Sequence, residues 1–324
     1  MRVSVAMCTY NGGKFLPEQL ESIRQQTRPV DELVVCDDRS SDHTVELLRE
    51  FAGTVSFPVH IHVNPSNLGS TKNFEKCLNL CTGDVLFCCD QDDKWHKEKV
   101  ARQLQYLEDH PEKDAVFTDA RVIDDASVPQ DRTIWQEIEF DAAAQERWNR
   151  REAHEILFGG FVVTGATLAL RRPVLAHTEP FPTHIRYYIH DAWIALLLSL
   201  EDKIGFLTDE LLFYRKHQTQ QVGFGEKKAR VTMKDRFSRD REGKLEPLRE
   251  KAEICAQLLA ALEGPYAGPR LRQLEQRQRH FQARATLPAS RLARLPVIWR
   301  EWISGRYRFS SKDWWLPLAG DLVE

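Results

Sequence analysis

Apolar and polar positions come in alternating blocks over the first 120 residues. A β-branched run, Val3–Met7, ends in the polar turn Thr9-Tyr10-Asn11-Gly12-Gly13 and leads into a helical pattern over Pro17–Gln26. Leu33–Cys36 is a second apolar run, closed by Asp37-Asp38-Arg39-Ser40-Ser41-Asp42 and followed by a helix over Thr44–Phe51. Val59–Val63 is a third strand, and Asn67-Leu68-Gly69 then introduces a helix over Asn73–Leu80. Val85–Cys89 is a fourth, wholly apolar, and stops at Asp90. Short apolar runs between helical stretches predict strands buried on both faces of a parallel sheet, with helices on either side. Ligands of such sheets bind beyond the carboxyl ends of the strands. Polar clusters stand at those ends: residues 9–11, 37–38 and 90–93.

The pattern weakens after Ala115. Val116–Thr118 predicts a strand, Asp124–Gln130 a loop, and Phe161–Leu170 one strand or two. Asp191–Leu200 is an apolar helix and Leu211–Tyr214 a short strand. Glu226–Lys251 alternates in charge and reads as a mobile loop running into a solvated helix. Beyond Gly264-Pro265 the chain is helical and basic, then aromatic.

Composition narrows the class. At 324 residues, 29% charged and 42% hydrophobic, the chain is an ordinary folded one of one large α/β domain or two smaller ones. A formal net charge of −3 argues against a general nucleic-acid binder. That sum hides a split. From Pro265 onward there are 11 Lys and Arg against 5 Asp and Glu, a net of +6, which leaves −9 on the first 264 residues. No apolar run approaches the roughly 18–20 residues of a transmembrane helix, and the N-terminus reads as a strand rather than a signal peptide. Seven cysteines, with Cys88 and Cys89 adjacent in an apolar run, point to buried reduced thiols and a cytosolic setting. Cys77 and Cys81 lie one helical turn apart, but no second Cys/His pair follows at zinc-finger spacing, so a zinc site is set aside.

The candidate chemistry sits at the strand ends. Carboxylates at i and i+2 of an extended segment project to one side, so Asp90 and Asp92 can face one cation. Oxygen ligands suit Mg²⁺ or Mn²⁺, which keep waters and accept phosphate oxygens; a solvated acidic turn is the plainer alternative. Asp37-Asp38 is either a turn former beside Asp42, which can cap the next helix, or an acceptor for a base N–H or ribose hydroxyl. The first turn is neither a Gly-x-Gly-x-x-Gly fingerprint nor a P-loop, which removes the main support for a dehydrogenase or an ATPase.

Taken together, VSVAMCTYNGGKFLPEQLESIRQQT, ELVVCDDRSSDHT, NLGSTKNF and GDVLFCCDQDDKW resemble the family 2 glycosyltransferases with the GT-A fold. GATLALRR, HDAW and LLFYRKHQTQQVG are similar to later family blocks, and DQDDxW with YRxH is especially similar to the bacterial rhamnosyltransferase-like branch. The resemblance covers about residues 1–225. It implies a Rossmann-like three-layer α/β/α GT-A domain with a mostly parallel mixed sheet: a nucleotide-binding half over 1–114 and an acceptor-side half over 115–225. A charged loop and a basic, aromatic helical region would follow over 226–324. By position, Tyr10 and Asp38 match nucleoside-holding residues, with Thr9, Asn11 and Asp37 in support, and Asn67 and Lys72 line the nucleotide pocket. Asp90 and Asp92 match the Asp-x-Asp pair, Asp92 being the closer metal contact. Asp191 matches the catalytic base, and His217 a position near the diphosphate and metal. One position departs: Gln220 stands where an Asn is common. Asp191 has a plainer alternative as the cap of the helix Ala192–Leu200, and His190 reads as structural.

The implied activity is inverting, metal-dependent transfer of a sugar onto a bacterial surface glycan or lipid-linked glycan. dTDP-L-rhamnose is favoured as donor, ahead of a UDP-linked hexose. A nucleotidyltransferase would need a Gly-rich basic loop after the first strand, which is absent. A non-catalytic nucleotide-sugar or nucleic-acid binding module would not need Asp92, Asp191 and His217 together. In the tail, Arg291, Arg294 and Arg300 among Leu292, Leu295, Val297, Ile298, Trp299 and Trp302 suit an interfacial helix on the inner face of the plasma membrane. A solvated helix, packing on the catalytic domain and a homodimer interface are the alternatives.

Overall fold

The computed structural model describes residues 1–217, 220, 241–264, 266, 268–311 and 313–323. The chain divides into two compact units, Met1–Phe224 and Gly225–Glu324.

The first unit is a mixed α/β structure built on one nine-stranded sheet with helices on both sides. Strands β1 (Val3–Thr9), β2 (Glu32–Asp37), β3 (Val59–Val63) and β4 (Val85–Cys89) run parallel in the order β3-β2-β1-β4. Every residue of β2 and β4 is buried, as the unbroken apolar runs require. Helices α1 (Leu16–Arg24), α2 (Thr44–Ala52) and α3 (Ser70–Leu80) make the crossovers. Register sets the functional edge: Thr9 pairs with Asp37 and Met7 with Cys89, so the turns after β1, β2 and β4 open side by side.

The second half of the sheet departs from the sequence reading. The two-residue β5 (Lys94–Trp95) and helix α4 (Lys99–Asp109) were not legible, because α4 buries Lys99 and Gln103 beside its apolar residues. Strand β6 (Ala115–Ile123) extends well past the expected Val116–Thr118, and β7 (Pro129–Thr133) begins inside the expected 124–130 loop. Short helices α5 (Ile134–Ile138), α6 (Ala142–Arg147), α7 (Ala153–Leu157) and α8 (Leu175–Thr178) surround an apolar stretch that is mostly not strand. Of Phe161–Leu170, only the end enters β8 (Ala169–Arg171), because a turn at Gly165–Thr167 breaks the extended chain. Helix α9 (His190–Leu200) is apolar all round and accordingly buried. The short strand expected at Leu211–Tyr214 is the end of the 12-residue β9 (Ile204–Arg215). Its polar middle escapes the apolar pattern because Glu210 makes a two-pronged salt bridge with Arg121 of β6 at 2.6 and 2.8 Å. The remaining order is β4-β8-β6-β9-β5, with β8 antiparallel to both neighbours and β6 parallel to β9.

At the amino end of β2, away from these turns, the buried Glu32 accepts from Ser4 Oγ at 2.5 Å and from the Thr82 amide at 2.6 Å. Burial alone would raise its pKa, but the hydrogen bonds from Ser4 and Thr82, with the Arg2 charge, hold it below the usual glutamate range. Its stabilisation is therefore present above the ordinary glutamate range and lost as pH falls through the lowered value. Glu32→Ala, which strands these donors, is expected to cost about 1–3 kcal/mol. Chemical denaturation at neutral pH checks this; the difference from wild type should shrink in acid.

The second unit contains helices α10 (Arg241–Leu262), α11 (Pro269–Ala285), α12 (Arg291–Ile303) and α13 (Trp315–Val323). The expected mobile loop at the start of 226–251 lies outside the described residues up to 240; from 241 that segment is helix α10. A small apolar cluster of Leu287, Ile298 and Tyr307 sits beside a buried polar chain. Arg284 donates to Ser310 Oγ at 2.8 Å, and Ser310 lies 2.9 Å from His280 Nε2. His280 Nδ1 is 2.9 Å from Glu301, which also takes Arg306 at 2.9 Å. Burial lowers the His280 pKa despite Glu301, and since a carboxylate only accepts, Nδ1–H donates to it. Arg284 also grips Asp321 through two nitrogens at 2.6 and 2.8 Å.

Candidate active site

The first turn is held by its own polar groups. Thr9 Oγ1 donates to Asp37 at 2.8 Å, and Asp37 also accepts the Ser40 amide at 2.8 Å and the Ser40 hydroxyl at 2.5 Å. Asn11 takes a positive φ of 49°, where an Asn is tolerated, and its Oδ1 accepts the Ser41 amide at 2.8 Å. Asp42 accepts the amides of Gly13 and Thr44 at 3.0 and 3.1 Å, tying the turn to the start of α2. Asp37 and Asp42 thus work as turn formers, and Thr9 and Asn11 reinforce them.

Asp38 is buried at the end of β2 and accepts three N–H groups: Asn64 Nδ2 at 2.9 Å, Leu68 at 2.7 Å and Gly69 at 2.9 Å. Asn67 donates to the Asp38 carbonyl at 3.3 Å. The 67–69 loop is therefore folded onto the second turn. Tyr10 stays exposed, while its backbone is clamped by Gln91, which accepts from the Tyr10 amide at 2.8 Å and donates to its carbonyl at 3.0 Å. Gly12 makes room for this clamp, since a Cβ there would lie 2.2 Å from Gln91 Oε1. Lys72, on the first turn of α3, is paired with Glu75 at 2.8 Å.

The acidic turn after β4 forms the second group. Asp92 Oδ2 lies 2.8 Å from His217 Nε2, and the His217 ring packs on Phe15 at 4.8 Å. Burial, then the charges of Asp92 and Asp191, push the Asp90 pKa up to about 8. Asp93 is buried too, and its pKa is raised by burial and by Asp92 and Asp90. The turn is fixed by a residue that sequence reasoning missed. Arg215, fully buried at the end of β9, donates to the Asp92 carbonyl at 2.7 Å, the Asp124 carbonyl at 3.0 Å, Ser127 Oγ at 2.9 Å and Glu18 at 3.2 Å. Its amide donates to Asp93 at 3.0 Å. The only signal was its place in YRKH, two residues before His217. Gln220 donates to the Arg215 carbonyl at 2.6 Å, so its longer amide turns back on its own strand end.

Asp191 joins this group from α9. Its Oδ2 accepts the Gly165 amide at 2.7 Å and its Oδ1 the following Ala192 amide at 2.7 Å. The helix begins one residue earlier, at His190, with Ile189 in the capping position. Gly165 must be small here: a Cβ would lie 2.9 Å from His190 Nε2 and 3.2 Å from Asp191. His190 is buried and stacked on Phe74 at 3.9 Å; burial lowers its pKa, and neither ring nitrogen has a hydrogen-bond partner among the described residues. All seven cysteines are free, and the Cys77 and Cys81 thiols point to backbone carbonyls. Carboxylates, one imidazole and a buried arginine thus meet at one sheet edge, beside a turn that offers an exposed tyrosine ring. That arrangement can hold a phosphorylated ligand through a cation and take a proton nearby.

Residues 4–178 match the sequence model of glycosyl transferase family 2. The chain is 25% identical over 218 residues to an uncharacterized protein of Mycobacterium tuberculosis, covering 66% of this chain and 59% of the relative. It therefore spans about three-fifths of the length of the first curated relatives it matches. It is 24% identical over 246 residues to the dTDP-rhamnosyl transferase RfbG of Shigella flexneri, covering 72% of this chain and 77% of that one. Among solved structures, a mannosyltransferase of Pyrobaculum calidifontis in complex with GDP-Man and Mn²⁺ superposes with a TM-score of 0.56 at 17% identity, over 99% of this chain and 84% of that chain. This last likeness is one of fold, the GT-A fold. Because the family model spans more than half of its length, from β1 to α8, the chain belongs to glycosyl transferase family 2.

Proposed function

We propose that this chain transfers a sugar from a nucleotide donor to a hydroxyl of a bacterial surface glycan or lipid-linked glycan, with inversion at the anomeric carbon. The observation that carries the reading is the meeting of Asp191 with the Asp90–Asp92–His217 group, close enough that Asp191 raises the Asp90 pKa. Asp191 takes the proton from the acceptor hydroxyl as that oxygen bonds to the anomeric carbon. The bond from this carbon to the diphosphate breaks on the opposite face, and the nucleoside diphosphate leaves. Tyr10 and the Asp38–Asn67 loop hold the nucleoside, and Lys72 borders that pocket.

The chemistry of the donor set suits a divalent cation, since Asp92 and His217 meet at 2.8 Å near the buried Asp90, although among the described residues no three such side chains are yet arranged around one point. Asp92 and His217 would hold Mg²⁺ or Mn²⁺, with Asp90 behind them. Such a cation neutralises charge on a leaving diphosphate. The named activity of the Shigella relative favours dTDP-L-rhamnose as donor over a UDP-linked hexose. A lipid-linked acceptor would place the work at the inner face of the plasma membrane, in surface polysaccharide or O-antigen synthesis.

A thermal-shift screen of nucleotide sugars with and without Mn²⁺ or Mg²⁺ tests this reading. A ligand at about 100 times its Kd stabilises the folded form by about 2.7 kcal/mol, which for a unit of this size raises Tm by roughly 5–10 °C. dTDP-L-rhamnose with metal is expected to give the largest rise. A larger rise with UDP-glucose would change the donor, and no rise with any nucleotide sugar would reject the reading.

A further inference from the structure

Helix α12 is oriented the reverse of an ordinary surface helix. Its inward side carries Arg294, Ile298 and Glu301, all buried. Arg294 is held by the Pro288 and Ala289 carbonyls at 2.6 and 3.2 Å, and Glu301 by His280 and Arg306. Its outward side carries Leu292, Leu295, Trp299, Trp302 and Ile303, which are 79, 47, 59, 41 and 64% exposed. At 3.6 residues per turn these five fall within an arc of roughly 100°. A buried polar anchor therefore holds an apolar face out to solvent. Trp314 and Trp315, beside and at the start of α13, are 43 and 54% exposed in the same unit.

The exposed charges of α12 beside this face have one sign. Arg291 and Arg300 lie on its two flanks and are exposed; Arg300 approaches Glu301 only at 3.8 Å. The single acid of α12, Glu301, is buried on the far side. Tryptophans and leucines bordered by arginines match a bilayer interface, where apolar side chains enter the acyl boundary and guanidinium groups reach anionic headgroups. Among the described residues no helix is long and apolar enough to cross a membrane.

We infer that the outward face of α12 docks this protein on an anionic lipid surface, lying along it. The inference rests on the surface of this unit and not on the sugar-transfer reading. Flotation of the full chain with phosphatidylcholine vesicles and with mixed phosphatidylcholine–phosphatidylglycerol vesicles tests it. Wild type should float with the mixed vesicles and less with phosphatidylcholine alone, and binding should weaken with salt, since the charges are screened beyond about 10 Å at 0.1 M. Leu295→Glu with Trp299→Glu should lower the partition coefficient tenfold or more. Arg291→Gln with Arg300→Gln should lower it about fivefold per arginine and abolish the preference for phosphatidylglycerol. Donor-induced thermal shifts, measured on the same proteins, report the catalytic reading separately and show that each variant is folded. Wild-type-like flotation of both variants, no preference for anionic lipid, or no flotation at all would overturn the inference. So would a wild-type dimer that Trp299→Glu converts to monomer, which would assign the face to a second copy of this chain.

Discussion

Asp191→Asn is expected to leave donor affinity within a few-fold of wild type and to lower the transfer rate by about 10²–10⁴, the usual range for loss of a general base. The amide keeps the size of the side chain and an oxygen that can accept the Gly165 amide, so the segment at 164–167 stays in place. It cannot accept the acceptor proton. Its neutrality also removes one of the charges that raise the Asp90 pKa, so donor binding with metal should not suffer through electrostatics. Calorimetric titration of the donor and a single-turnover assay at saturating donor separate the two effects. If donor affinity collapses while the saturated rate survives, Asp191 is only an anchor for Gly165 and another group is the base.

Asp92→Asn should lose at least roughly 3 kcal/mol of transition-state stabilisation, 10²-fold or more in rate, together with any dependence on added Mn²⁺ or Mg²⁺. The fold should survive, because Arg215 holds the turn through the Asp92 carbonyl, not its carboxylate. The carboxylate is the part that faces His217. A neutral amide there cannot balance a cation at the diphosphate. The check is a metal titration of turnover beside a thermal melt of the variant. Full activity in the presence of EDTA would remove the metal from the mechanism.

The two halves of the sheet differ in how far the amino-acid order reveals them. β1, β2 and β4 are buried on both faces, so each reads as an apolar run with no partner needed to explain it, whereas the edge strand β3 is only partly buried. β9 hides behind Asp209 and Glu210, whose charges are met by Arg102 and Arg121 from other elements. Phe161–Leu170 is as apolar as a strand, yet the close approach of Gly165 to His190 and Asp191 bends it. The tail shows the limit of counting charge. Of its arginines, Arg284 is bound to Asp321, Arg306 to Glu301 and Arg294 to backbone carbonyls, whereas Arg291 and Arg300 remain at the surface.

Turn chemistry was readable wherever neighbours in the chain suffice. Apolar runs, Gly12-Gly13 and the Asp-rich turns announce parallel strands and the edge onto which their polar turns open, because burial of a strand and capping of a turn depend on adjacent residues. Which polar groups build the site could not be read that way. Asp37 is occupied by Thr9 and Ser40, Gln91 holds Tyr10 across 81 residues, and Arg215 reaches Glu18 across 197. Such partners meet only when the sheet has brought the ends of β1, β2, β4 and β9 together, and a buried charge takes its role from whichever groups then surround it.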